Sequence, residues 1–406
     1  MGKSAKLWPV GGQMRPSFDE LLNRARELKP IFREAARDTE TNRRVSKRAM
    51  QLMRDAELFK MVQPAAFGGF EYGPTELARI GFELGQACGS TGWCGTLTIA
   101  FQWMMAYFPE QAQRDVWADP TNIVAASYTP SKQCEVVSDG FRIAGQWPYA
   151  SNCENCQWLM VGAVIPAGND TAPGLAWFLV PASDVTVDQD SWFTSGLQGT
   201  GSKTLRIDAP VFVPAHRMVR LSDIMAGTPP GTRIDDNIMS RFAFPTFGPT
   251  ALVSPVIGMA QGALDAFVEM TRSRVRAAKP GMVVPLANSP LIQGKIGAAS
   301  AAIESAFTLL IHSLETADAK LRAGQTLDTA ERIAIRRNQG YAAKQSVNVV
   351  NELFSKEGAS GSDLASPLQR FWRDVNAASL HISLDWEAIS AMYGQQRFGL
   401  EPVGTY

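Results

Sequence analysis

The sequence predicts an α+β protein with an N-terminal helical domain, a central β-domain and a C-terminal helical bundle. Two changes in the spacing of apolar residues support this prediction. The spacing is helical up to about residue 118, has the period of a strand from about 121 to 222, and is helical again from about 235 onward. At 406 residues the chain is too long for one small core, so two or three packed units are expected. We place the domains at 1–120, 121–225 and 235–406.

The N-terminal and central domains carry clear local signals. The first helix is expected to begin after Ser17, because Glu20 three residues later completes a capping box. The stretches VSKRAMQLMRDAELF and PTELARIGFELGQACG continue the helical spacing. In the central domain, runs such as NIVAASYT and WLMVGAVI are rich in β-branched and aromatic residues and indicate strands. Asp139 and Gly140 between two such runs are typical of a hairpin turn.

The C-terminal domain is expected to be a four-helix bundle. Ser366 and Pro367 mark the start of its last helix. We expect one continuous helix there, with an apolar side running from Phe371 through Ile382 to Tyr393. Long apolar helices of this kind are typical of a bundle that also buries surface between subunits. Residues 223–234, which include two prolines and two glycines, indicate a linker.

Composition excludes several classes of function. The formal net charge is zero, which argues against nucleic acid as a partner because phosphate binding leaves a basic excess. No stretch approaches the roughly 20 apolar residues that span a bilayer, and the N-terminus lacks the apolar core of a secretory signal. We therefore expect a cytoplasmic protein without a membrane partner. With one CxxC pair and three histidines, no metal site is expected, and the five cysteines are interpreted as packed thiols.

Five segments, in this order, resemble the acyl-CoA dehydrogenase fold. They are PAAFGGFEYGP, GQWPYASNCENCQWLMVGA, GLQGTGSKTLRIDAPVFVPAHR, IGMAQGALDAFVEMTRSR and PLQRFWRDVNAASLH. The resemblance covers most of the chain and implies a flavin-binding protein in which the strand and turn of the second segment lie against the flavin.

The catalytic base of an acyl thioester dehydrogenase is missing. Such an enzyme needs a carboxylate to remove a weakly acidic proton. At the two positions where the resembled family keeps this glutamate, the chain has Ile382, beside His381, and Gly248. Glu387 lies more than a helical turn further on and is a poor substitute.

Further segments are similar to the oxygenase components of two-component flavin-dependent monooxygenases. These are GSTGW, FPEQAQRDVW, the PYAS turn and RDVNAASLHISLDW. The resemblance implies that a separate reductase supplies reduced flavin, either FMN or FAD. It also implies that the flavin reacts with O2 to form a C4a-hydroperoxide, which hydroxylates a phenolic or indolic substrate, and that the protein is a homo-oligomer, a tetramer. The alternatives are a sulfur or nitrogen oxygenase, an acyl-CoA dehydrogenase or oxidase with a displaced base, and a non-catalytic protein that kept the fold.

Three residues are candidates for catalysis. Ser151 matches the hydroxyl that bonds the flavin edge in this fold; the alternative is a turn serine that bonds its own backbone. Ser127 matches a second hydroxyl near flavin or substrate, or else is a strand residue that faces solvent. His381, whose side chain ordinarily has a pKa near 6.5, is expected to take or share a phenolic or indolic proton. Asp374 or Asp385 is expected to orient its ring. The alternative is a histidine that packs where helices of the bundle meet.

The remaining candidates are contacts with the flavin. Tyr149 stands where the dehydrogenases have a tryptophan that stacks on the flavin. Arg274, at the end of a long helix, matches an arginine that meets flavin phosphate, and a guanidinium suits phosphate in charge and shape. Gly358, Ala359 and Ser360 are expected near the flavin tail. Trp103 is expected to line the pocket for the flavin or the substrate; the alternative is that it packs in the core.

Overall fold

The computed structural model describes residues 15–131, 133–167, 173–234, 238–279 and 282–406. Helices form both ends of the chain and strands form the middle, so the predicted fold class is confirmed. One hydrophobic core runs through all three parts, because its buried side chains come from the first helix, the sheets and the last helices. The interior is therefore continuous across the boundaries between the parts.

From residue 15 onward, the N-terminal part contains six α-helices: α1 (Phe18–Glu34), α2 (Ala36–Thr41), α3 (Lys47–Asp55), α4 (Pro74–Ala87), α5 (Gly89–Met104) and α6 (Glu110–Trp117). The capping box predicted for the first helix is present: the Ser17 hydroxyl accepts from the Glu20 N–H, and the Glu20 carboxylate accepts from the Ser17 N–H. Helix α5 is buried along nearly its whole length, which places its first turn in the interior.

The central part contains two four-stranded sheets. Its strands are β1 (Val124–Ser131), β2 (Gln133–Val137), β3 (Gly140–Ala150), β4 (Trp158–Ile165), β5 (Gly174–Pro181), β6 (Thr186–Asp188), β7 (Lys203–Pro214) and β8 (Met218–Arg220). One sheet has the order β1-β4-β5-β8 and the other β2-β3-β7-β6. The predicted hairpin is present between β2 and β3, with Asp139 at φ 62° in its turn. The end of β3 delivers the segment from Tyr149 to Asn152 to the interior.

The C-terminal part is built on five helices, α9 (Thr250–Arg272), α10 (Pro290–Arg322), α11 (Thr329–Phe354), α12 (Pro367–Ala378) and α13 (Trp386–Arg397), after the short helices α7 (Leu221–Met225) and α8 (Phe244–Phe247). A two-stranded hairpin, β9 (Val275–Lys279) and β10 (Met282–Pro285), lies between α9 and α10. Helix α7 begins in β-domain sequence and extends into the segment predicted to be a linker. Helix α9 is central, since it packs against α4, α5, α11 and α12.

Two helices in the described residues are long and apolar enough to cross a membrane by length and composition. In the first, Phe244–Arg272, which spans α8 and α9, 78% of the most apolar window is buried inside the protein, as expected of a core helix. In the second, Pro290–Arg322, 33% of that window is buried. Length and composition alone are weak evidence for a membrane span.

The prediction of one continuous last helix is wrong. Helix α12 ends at Ala378, a short 3-10 turn covers Ile382–Leu384, and α13 begins at Trp386. The break has a local cause, because the Asp385 carboxylate accepts hydrogen bonds from the N–H groups of Glu387 and Ala388 and so caps a new helix. As a result His381 lies in a loop between two helices.

Helices α4 and α9 approach so closely that their backbones touch at glycines. A Cβ atom added to Gly258 would lie 2.3 Å from the carbonyl oxygen of Phe82, and one added to Gly85 would lie 2.3 Å from the carbonyl oxygen of Pro255. Both obstacles are backbone atoms, which cannot rotate away. This contact joins the N-terminal helices to the C-terminal bundle.

The Gly258→Ala substitution is therefore expected to lower the free energy of unfolding by about 1–3 kcal/mol through overpacking. The matched control is Gly394→Ala in α13, where an added Cβ would meet nothing within 4 Å. That control is expected to be neutral or to stabilise by up to about 1 kcal/mol, because alanine is the better helix former. Urea unfolding of both variants checks this, and equal unfolding free energies would contradict the close α4–α9 contact.

Candidate active site

Trp93 brings together residues from all three parts of the fold. It lies in the first turns of α5, at the end of the GSTGW segment, and is buried. Its indole N–H donates to the Ser151 hydroxyl oxygen at 3.3 Å. Its ring lies edge-on to the imidazole of His381, with 5.9 Å between the ring centroids. Two of the three predicted catalytic residues thus contact the same side chain.

Ser151 is bonded to side chains from distant parts of the chain. Besides the Trp93 indole, its hydroxyl contacts the Ser202 hydroxyl at 2.7 Å. These contacts, in a residue that is 6% exposed, differ from those of a turn serine that bonds its own backbone. A hydroxyl has one proton and two acceptor lone pairs. Among the described residues, Trp93 and Ser202 are its side-chain partners. The indole takes one acceptor position, and the second is unused when Ser151 donates its proton to Ser202.

Tyr149 presents an exposed ring beside Ser151. The side chain is 71% exposed, and its ring centroid lies 6.4 Å from that of Trp192. Its φ of 65° is rare for a bulky residue and marks local strain. Arg43, Asn152 and Leu197, which also have positive φ, lie in the surrounding segments. Strained backbone of this kind concentrates at functional sites.

Ser127 faces the interior and not the solvent. It lies on β1, is 5% exposed, and donates its hydroxyl proton to the carbonyl oxygen of Pro148 at 2.6 Å. Of its two interpretations, the solvent-facing one is wrong. Because Pro148 immediately precedes Tyr149, Ser127 supports the strand end that carries both Tyr149 and Ser151.

His381 has different neighbours from those expected. Asp374 does not orient its ring, because the Asp374 carboxylate accepts from the backbone N–H of Leu197 at 2.6 Å. Asp385 caps α13. Instead, Nδ1 of His381 accepts from the backbone N–H of Ser383 at 3.1 Å. The expectation failed because it assumed a continuous helix, in which residues seven before and four after the histidine would share its face.

The charge state of His381 also differs from the expectation. The side chain is exposed to solvent in the chain, but the protein atoms packed against it displace part of its hydration. This partial desolvation, together with the nearby Arg336 guanidinium, lowers the pKa of His381 to about 4. The ring is therefore neutral at physiological pH. Since Nδ1 accepts a hydrogen bond, the neutral ring carries its proton on Nε2, and the side chain is a hydrogen-bond donor and a poor base.

Arg336 lies behind this loop. Its side chain is 2% exposed and donates to the carbonyl oxygen of Ser383 at 2.8 Å and to the side-chain oxygen of Gln339 at 2.6 Å. The Ser383 residue thus connects the guanidinium on one side with His381 Nδ1 on the other. Arg336 both holds the loop in place and opposes protonation of the imidazole.

The neutral imidazole of His381 makes the stability of the folded protein depend on pH. A pKa lowered from 6.5 to about 4 in the folded state means that the unfolded chain binds more protons between these values. Stability contributed by neutral His381 is fully present above its unfolded pKa and is lost as the pH falls toward the folded pKa.

We therefore expect the melting temperature of wild type to fall more than that of His381→Asn between about pH 7 and about pH 5. Thermal unfolding at the two pH values checks this. Parallel losses in both proteins would contradict the lowered pKa.

Apolar side chains beside His381 and beside Trp192 are open to solvent. Leu380 and Ile382, which flank the histidine, are each 85% exposed, and Phe193, which follows Trp192, is 69% exposed. Arg43 packs its guanidinium over the Phe193 ring at 3.8 Å and donates to the carbonyl oxygen of Trp192. Exposed apolar groups beside polar donors and acceptors are typical of a binding site for an aromatic ligand.

Two of the regions predicted to meet the flavin tail lie together. The guanidinium of Arg274 donates to the carboxylate of Glu357 at 2.6 Å and to the Glu357 carbonyl oxygen at 2.7 Å. Glu357 immediately precedes Gly358, which has φ 67°. A 3-10 turn that includes Ser360 begins at the next residue, Ala359. The structure thus joins the end of α9 to the segment before α12, with a carboxylate next to the arginine.

Trp103 lies in the core. It is 2% exposed, and its indole N–H donates to the carbonyl oxygen of Met239 at 2.6 Å. This position corresponds to the core-packing alternative, because the ring offers almost no surface to a ligand in this chain.

Two carboxylates near the expected base positions, those of Asp374 and Asp385, already accept hydrogen bonds from the backbone. Asp374 is buried, and burial raises its pKa to about 6, while its carboxylate accepts from the backbone N–H of Leu197. Asp385 caps α13, and Glu387 lies in the first turn of that helix. Gly248 has no side chain, and Ile382 is apolar. These positions therefore provide no carboxylate base for a thioester substrate.

Comparison with known proteins identifies the family. Models of the acyl-CoA dehydrogenase N-terminal and C-terminal domains match residues 18–121 and 250–386. The chain is 38% identical to the FADH(2)-dependent resorcinol hydroxylase, oxygenase component, of Rhizobium sp. (strain MTP-10005), over 98% of each chain. It belongs to the flavin-dependent monooxygenase oxygenase components within the acyl-CoA dehydrogenase family.

Solved structures agree with this membership. The HsaA monooxygenase from M. tuberculosis superimposes on the oxygenase with a TM-score of 0.88 at 31% identity, covering 96% of this chain and 99% of that one. XiaF from Streptomyces sp., in complex with FADH2 and glycerol, gives a TM-score of 0.87 at 25% identity, covering 96% and 98%.

Sequence reasoning missed three residues of the oxygenase site. Trp93 ends the GSTGW segment, and a tryptophan after a glycine-rich helix start is the visible signal for it. Ser202 lies in the GTGS segment, whose sequence gives no sign that its hydroxyl meets Ser151. Arg336 gave no sequence signal, because its position against Ser383 depends on the packing of α11 beneath the His381 loop.

Proposed function

We propose that this oxygenase uses reduced flavin, FMN or FAD, from a separate reductase, together with O2, to hydroxylate a phenolic or indolic substrate. The observation that carries the proposal is the contact of Trp93 with both Ser151 and His381. This contact supports a site in which Ser151 accepts a hydrogen bond and His381 donates one. The similarity to a resorcinol hydroxylase and to a structure holding FADH2 supports the substrate class and the cofactor.

The residues fit a reduced flavin. When bound, the flavin supplies the electrons that activate O2, and the protein orients and shields it. Reduced flavin carries a hydrogen on N5, and Ser151 has an acceptor position for such a donor when its own proton goes to Ser202. The exposed ring of Tyr149 offers a planar apolar surface beside it. We assign Ser151 as the acceptor and Tyr149 as a ring contact.

His381 would act on the substrate as a hydrogen-bond donor. With Nδ1 bonded to Ser383, its Nε2–H can donate to a phenolic oxygen. This bond favours the ionised form of the phenol, because hydrogen bonding to a charged form lowers its energy. An ionised phenol has a more nucleophilic ring. The exposed Leu380 and Ile382 would help to exclude water around it.

Assembly and the flavin tail complete the proposal. We infer a homo-oligomer, a tetramer, because α10 leaves Gly294, Gly297, Ala298 and Ala301 exposed on an apolar helix. Light scattering of the purified protein tests this. Arg274 and the segment Gly358–Ser360 would meet the flavin tail, and the protein would act in the cytoplasm.

The test is a single turnover with reduced FAD, a panel of phenols including resorcinol, and ¹⁸O-labelled O2. We expect a hydroxylated product that carries one labelled oxygen atom, whereas labelled water should leave the product unlabelled. Hydrogen peroxide without any product across phenols and indoles would contradict the proposal. Bleaching of oxidised flavin on the protein by an acyl-CoA thioester would favour a dehydrogenase instead.

A further inference from the structure

We propose that Ser202, with Thr200 behind it, is a positioning residue that fixes the direction in which Ser151 points its proton. Ser151 then offers a lone pair, and not a hydrogen, to the flavin. This inference rests on the proposed function of Ser151 as the flavin acceptor. It extends the site to two residues that the flavin need not touch.

Three hydroxyl groups form a continuous buried chain. The Ser151 and Ser202 hydroxyls are 2.7 Å apart, and the Ser202 and Thr200 hydroxyls are also 2.7 Å apart. The Thr200 hydroxyl lies 2.8 Å from the carbonyl oxygen of Leu197. All three hydroxyl residues are at most 6% exposed, so water does not compete freely for these contacts.

The two ends of the chain set its direction. A carbonyl oxygen can only accept, so the Thr200 hydroxyl must donate its single proton to the carbonyl oxygen of Leu197. Ser202 must then donate to Thr200, and Ser151 must donate to Ser202. At the other end the Trp93 indole N–H can only donate, so it donates to Ser151. Every proton is thereby assigned, and Ser151 keeps one lone pair.

This direction matters for a flavin that carries a hydrogen on N5. If Ser202 could not accept, the Ser151 hydroxyl would rotate and point its proton toward the cofactor in part of the population. The Ser151 O–H and the flavin N5–H would then both be donors and could not form a hydrogen bond with each other. Because the chain ends at a backbone carbonyl and an indole, it also offers no hydroxyl path by which a proton could pass on to solvent.

The segment that holds Thr200 and Ser202 is itself fixed. Gly201, between them, has φ 51°, and the backbone N–H of Leu197 donates to the buried carboxylate of Asp374 at 2.6 Å. The hydroxyl chain is therefore anchored to α12, the helix that leads into the His381 loop. This anchoring keeps the direction of the Ser151 proton independent of the ligand.

The test compares Ser202→Ala, Ser202→Cys and Ser202→Thr in the full-length protein. Two quantities are measured: the dissociation constant of reduced FAD by anaerobic titration, and the decay rate of the absorbance transient after mixing with O2. For Ser202→Ala we expect weaker reduced-FAD binding and a faster decay, each by roughly three- to tenfold. Ser202→Thr, which keeps the hydroxyl, should restore wild-type values, and Ser202→Cys, whose thiol is a weak acceptor and a weak donor, should lie between.

A double-mutant comparison separates this inference from the proposed function. Adding Ser202→Ala to Ser151→Ala should produce no further change, because the direction of an absent hydroxyl cannot matter. If Ser151→Ala weakens binding and speeds decay but Ser202→Ala changes only the melting temperature, the positioning role is refuted and the role of Ser151 stands. If Ser151→Ala has no effect either, the proposed flavin contact fails and the inference fails with it.

Discussion

Ser151→Ala is expected to shorten the absorbance transient that follows mixing of the reduced-flavin complex with O2 by roughly 10- to 100-fold. The substitution removes the acceptor for the flavin N5 hydrogen and leaves the Trp93 indole N–H and the Ser202 hydroxyl without their partner. An unmade buried hydrogen bond costs about 1–3 kcal/mol, which corresponds to this range of rates. Stopped-flow absorbance measures the decay of the transient, and a peroxide assay measures the hydrogen peroxide that is released.

The matched control is Ser138→Ala, which removes an exposed serine from the turn between β2 and β3. It should leave the decay unchanged. A transient of wild-type lifetime in Ser151→Ala, with reduced flavin still bound, would remove Ser151 from the mechanism.

His381→Ala is expected to abolish most hydroxylation while consumption of O2 continues. Without the Nε2–H donor the bound phenol stays in its less nucleophilic, neutral form, and the activated oxygen is released as hydrogen peroxide. Loss of one positioned hydrogen-bond donor to an oxyanion typically costs about 10²- to 10³-fold in rate. The measurement is the ratio of product to peroxide in a single turnover.

Two further variants sharpen this result. His312→Ala, an exposed histidine on α10, serves as the control and should keep the wild-type ratio. His381→Gln retains a donor and should recover part of the product, whereas it should recover none if the histidine acts as a base. An unchanged product ratio in His381→Ala would exclude His381 from substrate chemistry.

Local sequence signals predicted the fold well because they act over a few residues. The capping box at Ser17, the hairpin turn at Asp139 and the change of apolar period all report on neighbouring backbone, and all are present. The prediction of one continuous last helix was wrong because the apolar spacing continues across Ser379–Asp385, whereas the break between the two helices depends on the Asp385 cap. Periodicity cannot distinguish two consecutive helices that bury the same side.

The site was only partly predictable, for a different reason. Ser151, His381 and Tyr149 could be named from motifs, but their partners come from segments far away in the chain. Ser202 contacts Ser151 across 51 positions, and Trp93 contacts it across 58. The protonation of His381 depends on burial and on Arg336, which are properties of the packed structure and not of the local sequence.

The central claim is that this site accepts reduced flavin and passes one atom of O2 to a phenol. The most direct measurement is an anaerobic mixture of the protein with equimolar reduced FAD and resorcinol, opened to O2 and followed to completion. We predict nearly one hydroxylated product per flavin, a yield that falls to the level of free flavin when the protein is left out. Complete oxidation of the flavin with hydrogen peroxide as the sole product, for resorcinol and for other phenols and indoles, would contradict the account.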